Sequence, residues 1–151
     1  MRPEPTNVLP EAARTMWLAQ SLGLGVALSA GALTLGSSGT VPLPVAVAFA
    51  LVAVASGLRL PVLRYRRWRW GLDDEELDLV HGIWPVVRTI VPLTRVQHVS
   101  VQRTGWSDLF GLVSLHVSTA AGTTTIPALT RPQGDELRDR ILALLRTPDD
   151  L

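Results

Sequence analysis

The sequence predicts an α+β membrane protein: a two-helix transmembrane hairpin, then a β-rich domain closed by a C-terminal helix. Three observations carry this. Every residue between Arg14 and Arg59 is uncharged. After Trp68 the apolar residues recur with a period of two. Near the end, Leu137, Ile141, Leu144 and Leu145 recur at helical spacing. Composition excludes several function classes. A net charge of +1 over 151 residues gives no overall field for holding nucleic acid. With no cysteine there is no disulfide framework, thiol nucleophile or Cys-ligated zinc.

Residues 1–14 carry Pro3, Pro5 and Pro10, which prevent a stable helix, and read as a short, mobile cytoplasmic tail. The uncharged segment that follows divides at a Gly-, Ser- and Pro-rich stretch, residues 36–44. Residues 15–35 are long enough, at about 1.5 Å per residue, to cross a hydrocarbon core of about 30 Å. Residues 41–60 form a shorter second span with Pro42 and Pro44 in its first turn, where a missing N–H costs little. The hairpin as a whole occupies 15–63, with Arg59 snorkelling to the headgroups and Pro61 kinking the exit. Ser21, Gly25 and Ser29 on the first helix, and Ala46, Ala50, Ala53 and Gly57 on the second, form small-residue faces that seat two helices closely or form an oligomer interface.

The junction sets the orientation. The connecting turn has no basic residue, whereas Arg14 flanks one end and Arg59, Arg64, Arg66, Arg67 and Arg69 flank the other. The positive-inside rule puts both termini in the cytoplasm of a multi-pass plasma-membrane protein. Ala30-Gly-Ala32 resembles a signal-peptidase site, but the preceding tail has balanced charge and a second span follows. Arg59, Arg64, Arg66, Arg67, Trp68, Arg69 and Trp70 are therefore the candidate membrane-interface residues, and the bilayer is the first expected partner.

The domain spans 64–147, with a tail at 148–151. Trp68, Trp70 and Leu72 share one side of its first strand, and Asp73–Glu76 is a polar turn leading to Leu77 and Leu79. Val86–Val91, between two prolines, reads as a strand buried on both sides or packed at a sheet end. In Arg95–Arg103, Val96 is out of phase with Val99 and Val101, which signals a strand start or a bulge. Gln97 shares parity with Val99 and is expected to point inward. Thr104–Phe110 is a turn with room for one helical turn. Val113, Leu115 and Val117 alternate with Ser114, His116 and Ser118, and Thr123–Ala128 follows after a turn. Thr130 is a candidate N-cap, Gly134 weakens the helix start, and Pro148 stops it. The count is about six or seven short strands and one amphipathic helix, closing an open sheet or barrel.

The run Val91-Pro-Leu-Thr-Arg-Val-Gln-His-Val99, then Leu109-Phe-Gly-Leu112, Ser118-Thr-Ala-Ala-Gly122 and Ile126-Pro-Ala-Leu129, resembles the YdbS-like membrane proteins. These carry a bacterial pleckstrin-homology-like (PH-like) domain behind two transmembrane helices. The resemblance implies a PH-like β-barrel or sandwich of two sheets with a C-terminal capping helix. It implies architecture more than mechanism. The candidate interaction residues are Pro92, Arg95, Gln97, His98, Trp106, Phe110, Gly111 and Gly122, with β-strand 95–103 and the 104–110 loop forming one protein-binding rim.

No reactive constellation accompanies these residues. His81, His98 and His116 have no metal-ligand spacing, and Ser107, Asp108 and His116 lack a nucleophile elbow. The acidic turn at 73–76 has the wrong sign for the phosphate site that PH-type folds suggest. The expectation is a non-catalytic protein-interaction or scaffolding module without cofactor or metal, forming homo- or hetero-oligomers with other membrane proteins. The alternative is an inner-leaflet domain that senses a lipid or a small ligand of unknown identity. No nucleic-acid partner is expected.

Overall fold

The computed structural model describes residues 5–146. The chain forms α1 (Glu11–Ser37), α2 (Leu43–Arg67), β1 (Arg69–Leu72), β2 (Glu76–His81), β3 (Val87–Pro92), a 3-10 turn (Leu93–Arg95), β4 (Val96–Gln102), α3 (Gly105–Leu109), β5 (Leu112–Thr119), β6 (Gly122–Thr130) and α4 (Arg131–Arg146). Two compact units result: Arg14–Arg66, and the chain on either side of it.

The first unit is the hairpin. Both helices are long and apolar enough to cross a membrane, and only 6% and 17% of their most apolar windows are buried. A core helix of a soluble protein would be mostly buried. Here Leu24, Leu51 and Val52 are each more than 60% exposed. The small residues face each other. A Cβ at Gly25 would lie 3.0 Å from the Ala53 carbonyl oxygen, and one at Gly57 would lie 2.8 Å from that of Ser21. Ser29 Oγ donates to the carbonyls of both Gly25 (2.7 Å) and Ala50 (3.1 Å), adding a bond between helices. These faces are thus occupied within one hairpin. Pro61 lies inside α2, which continues to Arg67.

The second unit holds two three-stranded antiparallel sheets, β1-β2-β3 and β4-β5-β6. Period-two alternation turns Leu72, Leu77, Leu79 and Val91 into the core from the first sheet. From the second sheet, Val113, Leu115, Val117 and Ile126 join them. Helix α4 packs on the second sheet through Gly134, Leu137 and Ile141. Leu145, expected on its apolar face, is 37% exposed. Thr130 caps α4 as expected: its Oγ1 accepts from the Gln133 N–H at 3.4 Å, and Gln133 Oε1 accepts from the Thr130 N–H at 3.2 Å. The stop at Pro148 and the tail 148–151 lie outside the described residues.

Two expectations are corrected, and one pair of alternatives is decided. Among the described residues of the N-terminal segment, Asn7 and Leu9 are held against the domain rather than free: Asn7 and Trp70 exchange backbone hydrogen bonds of 3.1 and 3.0 Å, and Leu9 is buried. The helix starts at Glu11, directly after Pro10 and earlier than expected, and before it one extended residue with its own N–H is enough to bridge the open edge of β1. Of the two readings of Val86–Val91, strand β3 takes the sheet-end one. It pairs only with β2, and Val87 and Ile90 stay exposed. Gln97 is exposed instead of inward, because the register shifts between Val96 and His98 and leaves it as the bulged residue.

On the outer face of the first sheet, Asp78 is buried, and Arg88 Nε donates to both its carboxylate oxygens at 3.1 Å. The pair joins β2 to the edge strand.

Candidate functional site

The arginine-rich junction separates into two environments. Arg59, Arg64, Arg66 and Arg67 lie on the last turns of α2 and are exposed. The Arg64 guanidinium sits 4.3 Å from the centroid of the Trp17 ring, a cation–π contact tying α2 to α1. The aromatic members behave differently. Trp68 is only 4% exposed and stacks on His81 with ring centroids 5.3 Å apart. It shares parity with Trp70 and Leu72, so the domain core claims it instead of the headgroups. Arg69 Nη1 donates to the Trp68 carbonyl at 2.8 Å. Trp70 is half-buried in β1.

A groove of about 270 Å³ opens beside Trp70, lined by Asn7, Leu72, Gln133, Glu136, Leu137 and Arg140. The Trp70 Nε1–H is buried and has no hydrogen-bond partner among the described residues. At the opposite end of β1 from Trp68, Asp73, Asp74 and Glu75 make an exposed acidic turn, closed by the Asp73 N–H donating to the Glu76 carbonyl at 3.0 Å. The first sheet therefore has a basic approach at one end and an acidic turn at the other.

The candidate rim is divided. Arg95, Gln97 and His98 stand at the start of β4, near Gly122, because Val96 pairs with Thr119 and Thr119 with Gly122. Trp106, Phe110 and Gly111 stand at the far end of β4, the length of a strand away. Pro92 ends β3 opposite Glu76. The second cluster is a built platform. Thr104 and Ser107 form a capping box that starts α3, and Gly111, at φ 66°, ends it in the left-handed region. Arg131 Nη2 donates to Asp108 at 2.5 Å, bracing α3 against the start of α4. The platform presents Leu109, 76% exposed, beside Trp106, whose ring lies 6.0 Å from that of Phe110.

Two exposed apolar residues escaped the sequence reading. Leu109 was hidden by its place in an apolar motif. Trp84, 95% exposed, sits in the turn after His81-Gly82, where no periodicity signals which way a side chain points.

The residue types that suggested chemistry have structural partners. Ser107 is buried in the cap, Asp108 pairs with Arg131, and His116 Nδ1 lies 3.0 Å from Thr125 Oγ1 across β5 and β6. His98 pairs with Ser118 and His116 with Ser100, so the two histidines are diagonal rather than opposed. Among the described residues no cluster of His, Asp and Glu could hold a metal ion.

Residues 21–145 match the family model described as Bacterial PH domain. The chain belongs to the bacterial PH domain family. The two small sheets and the C-terminal helix are the PH-like architecture that the resemblance implied, and the two apolar helices precede it in a membrane protein of YdbS-like type. Over 91 residues the chain is 40% identical to the UPF0699 transmembrane protein YdbS of Bacillus subtilis (strain 168), a match covering 60% of this chain. It spans 57% of that relative's length. No solved structure matches the chain. In this bacterial PH domain the four motif runs fall on the β3–β4 crossing, the end of α3, the β5–β6 turn and the second half of β6.

Proposed function

We propose that the protein is a plasma-membrane-anchored module, both termini cytoplasmic, whose PH domain binds protein partners without catalysing a reaction. The observation that carries this is the α3 platform. Five residues of helix are fixed by a capping box and an ion pair, and they hold Leu109 and Trp106 toward solvent, with half-buried Phe110 beside the Trp106 ring. Tryptophan is among the side chains that dominate binding energy at protein interfaces, and apolar neighbours exclude water around such an anchor. Orientation rests on the arginines that flank the hairpin and the absence of basic residues in its turn.

Photo-crosslinking in native membranes tests the reading. A benzophenone side chain at position 109 is expected to give a discrete protein adduct, either with a second copy or with another membrane protein. Trp106→Ala with Phe110→Ala is expected to weaken adduct formation by tenfold or more, since losing one or two central anchors costs about 2 kcal/mol or more. The groove beside Trp70 supports the alternative of small-ligand or inner-leaflet lipid sensing. The same experiment separates the two: a monomeric ligand reader yields no protein adduct at 109.

A further inference from the structure

We propose that the β2–β3 loop, residues 82–86, is a second membrane contact that dips Trp84 into the interface of the bilayer that anchors the chain. The inference rests on the membrane-anchored reading above.

The register of the first sheet supplies the position. Arg69 pairs with Val80, and Trp68 stacks on His81, so the loop following His81 lies at the end of the sheet where β1 begins. That is the end at which the chain arrives from α2, and Trp68 is the one residue between the apolar helix and β1. The loop therefore lies at the end of the sheet that the chain enters from α2.

The chemistry of the loop fits a lipid interface. Residues 83–87 are Ile, Trp, Pro, Val and Val, with no charge among them. Trp84 is 95% exposed, Val86 47% and Val87 42%. Gly82, at φ 104°, makes the turn; a side chain there would collide with the Pro85 carbonyl oxygen, and this holds the tip in a tight projection. Tryptophan is the side chain most at home at the headgroup level, where its ring is apolar and its N–H is wetted. Charge agrees with the same orientation. The sequence entering this end of the sheet carries Arg64, Arg66, Arg67 and Arg69, suited to anionic headgroups, while Asp73, Asp74 and Glu75 occupy the opposite end. A sheet with an apolar tip at one end and an acidic turn at the other is polarised for a negatively charged surface.

The native chain has no cysteine, so single cysteines can be placed without background. The test uses the full chain in vesicles of phosphatidylethanolamine and phosphatidylglycerol. Nitroxide labels are attached at Trp84→Cys, at Val86→Cys (which keeps Trp84), at Phe49→Cys on the exposed face of α2, and at Ala121→Cys in the β5–β6 turn. Collision with dissolved oxygen is compared with collision with a water-soluble nickel chelate. Labels at 84 and 86 are expected to favour oxygen severalfold over the label at 121, approaching the label at 49. If 84 and 86 behave as 121 does while 49 is lipid-exposed, the loop contact is wrong and the anchored reading stands. If both collision agents are excluded at 84 and 86, the loop is covered by protein, and the lipid contact is equally overturned. An aqueous label at 49 would overturn the anchored reading itself and this inference with it.

Discussion

Gly57→Leu is expected to destabilise the full-length protein in detergent, by about 1–3 kcal/mol or more, while Gly23→Leu leaves it nearly unchanged. The first Cβ atom at position 57 would stand 2.8 Å from the Ser21 carbonyl oxygen and 3.2 Å from its carbon. Both are backbone atoms, so no rotamer change relieves the contact and the helices must separate along their length. Separation would also stretch the Ser29 Oγ to Ala50 carbonyl bond, 3.1 Å in the structure. At Gly23 no heavy atom lies within 4 Å of the added Cβ. In water, helix propensity alone favours leucine over glycine by about 1 kcal/mol, so a loss at 57 comes from packing and opposes propensity. The midpoint of thermal unfolding, followed by circular dichroism, reads the difference. Equal stability of the two variants would show that the helices do not close through this face.

Gly134→Val is expected to cost about 1–3 kcal/mol, and Val113→Ala in the same chain is expected to recover part of it. A Cβ at 134 would lie 2.6 Å from Val113 Cγ2, and Val113 is only 1% exposed, so it has nowhere to turn. The helix would lift from the second sheet and uncover Leu137 and Ile141. Because the obstacle is a side chain, shortening it should relieve the clash, and the two substitutions should be less damaging together than their separate effects summed. Urea unfolding of the detergent-solubilised chain, read by tryptophan emission, measures all four corners of the cycle. Strict additivity would mean that α4 does not rest on Val113.

How far the fold could be read in advance depended on whether one local rule dominated. In β5, Val113, Leu115 and Val117 had to face a core, so alternation sufficed to give both strand and face. At Thr130 the cap is local and was equally plain, although its partner Gln133, three residues on, was not read. Gly134 shows where such reading stops. By propensity it weakens a helix, yet in the structure its lack of a side chain lets α4 approach the sheet. The run 86–91 stayed open between two placements, because β-branched residues suit an edge strand as well as a central one, and only the partner on each side decides. The bridge from Asn7 to Trp70 is a long-range pairing of one residue with no pattern to announce it. Among candidate site residues, sequence grouped Gln97 and His98 with Trp106 because they are close in the chain. An extended strand instead carries them to opposite ends of a sheet. Trp84 lay in a turn, where exposure is set by loop geometry rather than period.

The central claim is a hairpin that crosses the membrane and leaves the PH domain inside the cell. Cysteine labelling of intact cells with a membrane-impermeant maleimide tests it most directly, using Ser38→Cys in the α1–α2 turn and Ala121→Cys in the domain. The account predicts that position 38 reacts from outside and position 121 reacts only after the membrane is opened. Labelling of 121 in intact cells, with 38 protected, would contradict it.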